Sequence, residues 1–265
     1  MKKSLKFLNE IPVAAHRGNS EFFPENTMMA FRSAKEIPHL DMVETDVHMT
    51  SDGELVLIHD HKLDRTTNGS GLVREKTLKE IREFDAGIWK GEEFAGEKVP
   101  LLSELLDLFK DNKDFLFNIE LKDYPCDSGN FAYESCDKII KMLEDYDVLD
   151  RCVVNSWNGV LNEYVDEKYG DKVRIHGYYP EYLGAGQKRL VYDYSYCICL
   201  FQIGCEMFPS VWYDFCRMYD VEPWACFAEN TPELFEKAME NGAKLFTVND
   251  PKWLIDYLRS KGLHN

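Results

Sequence analysis

The chain has 265 residues, 45 % of them apolar and 29 % charged, which excludes a disordered, collagen-like or coiled-coil polymer. Its 31 basic and 47 acidic residues leave a formal charge of −16, the wrong sign for general binding of nucleic acid or anionic membrane. No run reaches the ~20 apolar residues of a membrane helix, so no stable membrane insertion is expected. Residues 1–9 lack the apolar centre of a signal peptide, so a cytoplasmic location is expected.

Short β-branched or aromatic runs alternate with segments of helical period. Strands are expected at 13–17, 42–47, 115–121, 152–156, 173–177, 197–202, 221–226 and 244–248. Helices are expected at 26–36, 131–145, 232–241 and 251–261, the last two beginning with proline behind Thr231 and Asp250 as caps. Repeated strand–helix units imply parallel pairing with right-handed crossovers. Eight such strands point to a (β/α)₈ TIM barrel, which commonly needs ~250 residues.

One connection breaks the rhythm. After the second strand, the Asp-Gly turn at 52–53 and a short strand at 55–59 read as a hairpin. Helices near 77–84 and 103–110 follow it, so 50–112 is expected to form an inserted hairpin and helical lobe over the C-terminal mouth, within a single catalytic domain spanning 1–265. The eight cysteines form no Cys-x-x-Cys pair and several lie in apolar runs, which suits free thiols better than zinc or disulfides.

Strand side chains alternate in direction. Within 115–122 the odd positions are large and apolar, so Asn118, Glu120 and Lys122 face the barrel interior. Burying that acid and that ammonium requires either their mutual pairing or a bound group. Glu44 and Asp46 likewise share one face of the second strand, as solvated acids at a strand end or as ligands of a hard cation. Glu120 at matching height favours the cation, Mg²⁺ or Ca²⁺. The first strand ends in His16-Arg17-Gly18 and the hairpin strand in His59-Asp60. Histidine exchanges protons near neutral pH and the arginine fork suits phosphate. His48 and His61 lie close by in sequence.

The chain resembles the glycerophosphodiester phosphodiesterase family. The matching runs are Ala-His-Arg-Gly (15–18), Pro-Glu-Asn-Thr (24–27), Glu-Thr-Asp-Val (44–47), Thr-Ser-Asp-Gly (50–53) and Ile-His-Asp (58–60), then Leu-Asp-Arg-Thr-Thr-Asn-Gly (63–69), Asp-Ala-Gly (85–87), Val-Pro-Leu-Leu-Ser-Glu-Leu-Leu (99–106) and Asn-Ile-Glu-Leu-Lys (118–122). The resemblance implies a TIM barrel that hydrolyses glycerophosphodiesters to glycerol 3-phosphate and an alcohol. It implies Glu44, Asp46 and Glu120 as ligands of one divalent cation, His16 and His59 as the acid/base pair, and Arg17 and Lys122 as phosphate contacts. By the same resemblance Trp224, in the seventh-strand run Trp-Ala-Cys-Phe (224–227), is a substrate contact, and Pro24 and Glu25 open the first helix. The second half departs from the family at Ser156-Trp157, at 224–227 and at Val248-Asn249-Asp250-Pro251, which bears on the pocket for the alcohol.

The expected partner is a small-molecule diester. A second enzyme reading is a phospholipase D-like hydrolase of lysophospholipids, which would need an apolar approach surface. Tyr178, Tyr179, Tyr182, Phe208, Trp212 and Tyr213 could form it or could pack between helices. A non-catalytic binding barrel would have lost a histidine or a carboxylate, and all are present.

Overall fold

The computed structural model describes residues 5–179, 183–184, 186–201, 210–227 and 230–265. Its strands are β1 (Val13–His16), β2 (Met42–Met49), β3 (Leu55–Leu57), β4 (Leu116–Leu121), β5 (Cys152–Asn155), β6 (Arg174–Tyr178), β7 (Cys197–Phe201), β8 (Glu222–Cys226) and β9 (Leu245–Val248). All but β3 pair in parallel, in the order β1-β2-β4-β5-β6-β7-β8-β9, and β9 pairs back with β1. The result is the closed eight-stranded barrel that the alternation predicts. β3 lies antiparallel on the C-terminal extension of β2, with Val47 opposite Leu57 and Met49 opposite Leu55.

The helices are α1 (Met28–Lys35), α2 (Leu78–Ile81), α3 (Leu102–Phe109), α4 (Pro125–Ser128), α5 (Asn130–Asp145), α6 (Gly159–Tyr169), α7 (Val191–Tyr194), α8 (Val211–Met218), α9 (Pro232–Asn241) and α10 (Pro251–Ser260). Asp250 caps α10 through Trp253 N–H at 3.0 Å, and Gly242 closes α9 at φ +103°, a left-handed conformation that glycine adopts without strain. The start of α1 differs from expectation. Thr27, not Pro24 or Glu25, is the cap: its hydroxyl accepts from Ala30 N–H and donates to the Pro24 carbonyl. Pro24 and Glu25 lie ahead of the helix, which frees the Glu25 carboxylate for the site.

Two apolar layers hold the barrel. Outward side chains, among them Val43, Phe117, Ile119, Val154, Ile175, Ile198 and Phe246, pack against the helices. Each such buried side chain stabilises the fold by about 1.5–3 kcal/mol relative to exposure. Inward side chains Ala14, Met42, Leu116, Val153, Cys197, Trp224 and Leu245 form a separate plug at the N-terminal end. The plug closes the barrel floor, so the polar interior positions above it open only toward the C-terminal mouth.

β3 and the segment after it share a small core of their own, Val56, Ile58, Leu63, Val73, Ile81, Ala86 and Val99. α3, which the sequence pattern assigns to the inserted lobe, instead buries Leu102, Leu105, Leu106 and Phe109 in the main core against the barrel. Its apolar face is wide enough to serve as a barrel helix, and the inserted part with its own core is correspondingly shorter.

Candidate active site

The chain leaves β1 through two residues in left-handed backbone. Arg17 has φ +56°, uncommon without a glycine, and Gly18 has φ +84°. A Cβ on Gly18 would stand 2.8 Å from the Ala30 carbonyl carbon, so only glycine lets α1 approach this closely. The turn aims Arg17 N–H at both the backbone carbonyl and the Oε2 of Glu44, each at 3.0 Å. Asn26, also left-handed at φ +56°, donates from Nδ2 to Asp46 Oδ2 at 2.8 Å and accepts from the Thr45 hydroxyl. The two loop residues thus fix the two acids of β2.

Parallel register sets Asp46 opposite Glu120 and Glu44 opposite Asn118. Ligand oxygens of Glu44, Asp46 and Glu120 fall within 4.8 Å of one another, and all three residues are buried. Lys122 Nζ donates to Glu120 Oε1 at 2.8 Å and stands 3.6 Å from Asp46 Oδ1, while Arg17 Nε stands 3.2 Å from Asp46 Oδ2. Burial alone would raise the Asp46 carboxyl, but Arg17 and Lys122 hold it well below the usual carboxylate range. Glu44 moves the other way: burial and then Asp46 push it well above its ordinary value. Asp46 Oδ1 is buried without a hydrogen-bond partner. Three buried carboxylates, one with an orphaned oxygen and one whose charge burial disfavours, make a donor set that a hard, oxygen-seeking divalent cation satisfies. This is the cluster that could hold a metal.

His16 and His59 both line a cavity of about 300 Å³ that also touches Arg17, Glu44 and Glu120. His16 Nδ1 meets Asn249 Oδ1 at 2.7 Å, and because an amide oxygen only accepts, Nδ1 carries the proton and Nε2 the lone pair. Burial and then Arg17 lower the His16 imidazole to about 4, so it is neutral at pH 7. His59 arrives on the hairpin, where Ile58 N–H donates to the Asp46 carbonyl and bends the chain over the mouth. Its Nδ1 is 2.6 Å from Asp60 Oδ1.

Beside the acids lies a buried polar network, of which the sequence pattern placed only Asn118 in the interior. The Tyr178 hydroxyl faces Glu120 Oε2 at 3.3 Å and Asn155 Oδ1 at 2.9 Å, Asn155 Nδ2 donates to Asn118 Oδ1 at 2.7 Å, and His176 Nδ1 meets the same oxygen at 3.2 Å. Trp157 stacks on Tyr178 with centroids 4.4 Å apart and lines the cavity.

Thus Glu44, Asp46, Glu120, His16, His59, Arg17 and Lys122 come together, whereas Trp224 does not. Its side chain lies in the floor plug, hydrogen-bonded to Glu222 Oε2 at 3.1 Å and fully buried. Its position one layer too low explains why it lines no part of the cavity. His48 pairs with Asp123 at 2.8 Å and meets His61 edge-on, away from the cavity lining. Of the six aromatics considered for an approach surface, Tyr178 points into the barrel network, Tyr179 is buried against Trp212, and Tyr213 is buried in the core. Tyr182 and Phe208 lie outside the described residues. Cys126, Cys136, Cys152, Cys199, Cys216 and Cys226 carry free thiols, and Cys205 lies outside the described residues. Sequence reasoning gave Glu25, Asp60, Arg65 and Asn249 no role at the site, although all four stand inside runs already quoted.

A sequence profile described as the glycerophosphoryl diester phosphodiesterase family matches residues 16–180. A glycerophosphodiester phosphodiesterase of Caldanaerobacter subterraneus subsp. tengcongensis is 38 % identical over 247 residues, 92 % of this chain and 85 % of that one. In fold the chain is similar to a phosphodiesterase of Oleispira antarctica solved with the product sn-glycerol-3-phosphate, with a TM-score of 0.79 at 23 % identity, covering 94 % of this chain and 96 % of that one. A glycerophosphodiester phosphodiesterase of Agrobacterium tumefaciens gives a TM-score of 0.72 at 22 % identity, over 91 % and 97 % of the two chains. With a matched profile over most of the chain and a relative of this identity along nearly all of it, the chain is an enzyme that belongs to the glycerophosphoryl diester phosphodiesterase family.

Proposed function

We propose that this enzyme hydrolyses glycerophosphodiesters to glycerol 3-phosphate and an alcohol in the cytoplasm, with Mg²⁺ or Ca²⁺ held by Glu44, Asp46 and Glu120 and with His16 and His59 exchanging the protons. The observation that carries it is the convergence of Glu44, Glu120, Arg17, His16 and His59 on one cavity, with Asp46 and Lys122 joined to them through the carboxylate cluster and its ion pairs. When bound, the divalent cation supplies charge neutralisation and Lewis-acid polarisation at a phosphoryl oxygen.

The remaining steps belong to the chain. Arg17 and Lys122 lie at the carboxylates and meet the negative charge of the diester's non-bridging oxygens, which grows as the nucleophile adds. One histidine removes the nucleophile's proton and the other protonates the leaving oxygen, each role being worth ~10²–10⁴-fold. His16 Nε2 carries a lone pair, with Nδ1 anchored on Asn249, and His59 is anchored on Asp60, so each ring keeps one nitrogen for substrate. The aromatic packing of Tyr179 and Tyr213 gives no support to a lysophospholipid preference.

Replacing each histidine by alanine tests the chemistry. Both variants should lose at least ~10²-fold in kcat/KM on a natural glycerophosphodiester while the fold is kept. On an aryl phosphodiester, whose leaving group departs without a proton, only the variant lacking the acid should recover. Near-normal activity of either variant on the natural substrate would make that histidine structural.

A further inference from the structure

Arg65, in the inserted segment, joins the two sides of the site through an unbroken run of hydrogen bonds. Its Nε and Nη2 donate to Asp60 Oδ2 and Oδ1 at 2.8 and 2.9 Å. Its Nη1 and Nη2 donate to Glu25 Oε2 and Oε1 at 2.9 and 2.8 Å. Beyond Asp60 stands His59, at 2.6 Å, and beyond Glu25 stands Arg17, whose Nη1 donates to Oε1 at 2.9 Å. Arg17 in turn reaches Asp46 at 3.2 Å. Four of the five N–H groups of one planar guanidinium therefore hold two carboxylates in one plane, an arrangement that an ammonium cannot reproduce.

Stability does not account for this. The Arg65 side chain is 43 % exposed, and ion pairs at that exposure are worth only about 0–1 kcal/mol. The segment carrying it is independently anchored: Leu63 is fully buried in the lobe core, and Thr67 N–H donates back to the Leu63 carbonyl. Geometry at the site accounts for it better. The guanidinium ties the lobe-side histidine to the β1-side arginine across the mouth, and a misplacement of ~1 Å at such a site can cost ~10²-fold in rate.

We propose that Arg65 is a positioning residue for catalysis: by clamping Asp60 and Glu25 it sets the His59 ring and the Arg17 guanidinium at a fixed separation. The inserted lobe is thereby part of the catalytic frame. This inference rests on His59 and Arg17 acting as described under the proposed function.

The test uses full-length Arg65→Gln, Arg65→Lys and Asp60→Asn proteins and the double variant Asp60→Asn/Arg65→Gln. Arg65→Gln should lower kcat by ~10–100-fold, the range for partners that orient working side chains, with a smaller change in KM. Arg65→Lys should be nearly as poor, because one ammonium cannot grip both acids. The double variant should be no worse than the poorer single variant, as expected for residues acting as one unit. A readout independent of turnover is the ¹H–¹⁵N signal of the His59 Nδ1–H, protected in the wild type by Asp60 and broadened or lost in Arg65→Gln. Unchanged kcat, an effect confined to KM, additive losses in the double variant, or a persistent His59 signal would each overturn the proposal. Absence of diester hydrolysis by the wild type would instead overturn the proposed function, and the His59 signal would still decide the positioning role.

Discussion

His176 sits in the barrel interior with Nδ1 on Asn118 and Nε2 buried without a partner. Burial lowers its imidazole to about 3 from an ordinary 6.5, so it stays neutral in the folded protein while the unfolded chain takes up a proton below pH 6.5. Between those values the unfolded state binds more protons, so folding stability falls as pH falls. Relative to His176→Gln, which does not titrate, the wild type should lose about 2 kcal/mol between pH 7 and pH 5, at ~1.4 kcal/mol per pH unit once well below 6.5. Urea titrations of both proteins at several pH values check this, and parallel stability curves would refute it. At this scale the sequence told much about direction and little about depth. Alternation along β4 correctly turned Asn118, Glu120 and Lys122 inward. Trp224, which the family resemblance made a substrate contact, also points inward, yet it lies with Ala14, Met42 and Leu116 in the floor. Height along a barrel strand depends on the stagger between strands, which one strand's pattern does not encode.

Elements position the site through their ends. Hydrophobic period and proline starts marked α9 and α10 within a residue of their observed limits. The start of α1 was harder, because Pro24 imitates a first-turn proline while Thr27 makes the cap. Partners that meet only in space were also hidden. Arg65 and Glu25 are forty residues apart, and no periodicity links the loops that carry them. α3 shows the same limit, since its apolar face was legible but the surface it covers was not. The β1 exit makes a sharp test of how elements hold the site. Gly18→Ala combines a left-handed φ of +84° with a 2.8 Å approach to the Ala30 carbonyl carbon. The strain should cost at least ~1–3 kcal/mol and should push α1 away from Arg17 and Asn26. Chemical denaturation should show the lower midpoint together with reduced activity, and an unchanged midpoint would contradict the close packing described here.

The whole molecule combines a strongly acidic surface with a local concentration of cations at its mouth. With a net charge of −16, long-range steering of an anionic substrate is unfavourable, so under the proposed function capture falls to Arg17, Lys122 and the cation held by the three carboxylates. The apolar floor plug and the closed strand order leave the polar interior open at one end only, the end at which β1, β2, β4 and the hairpin deliver the carboxylates and histidines. No helix among the described residues is long and apolar enough to cross a membrane. The most direct test of the account is steady-state hydrolysis of glycerophosphocholine, glycerophosphoethanolamine and glycerophosphoglycerol by chelator-treated protein before and after adding Mg²⁺ or Ca²⁺, alongside Glu120→Gln. The account predicts near-zero turnover after chelation, recovery with one of the two cations, and severely weakened cation binding by calorimetry in Glu120→Gln. Full activity in excess chelator, or undiminished cation affinity and turnover in Glu120→Gln, would contradict it.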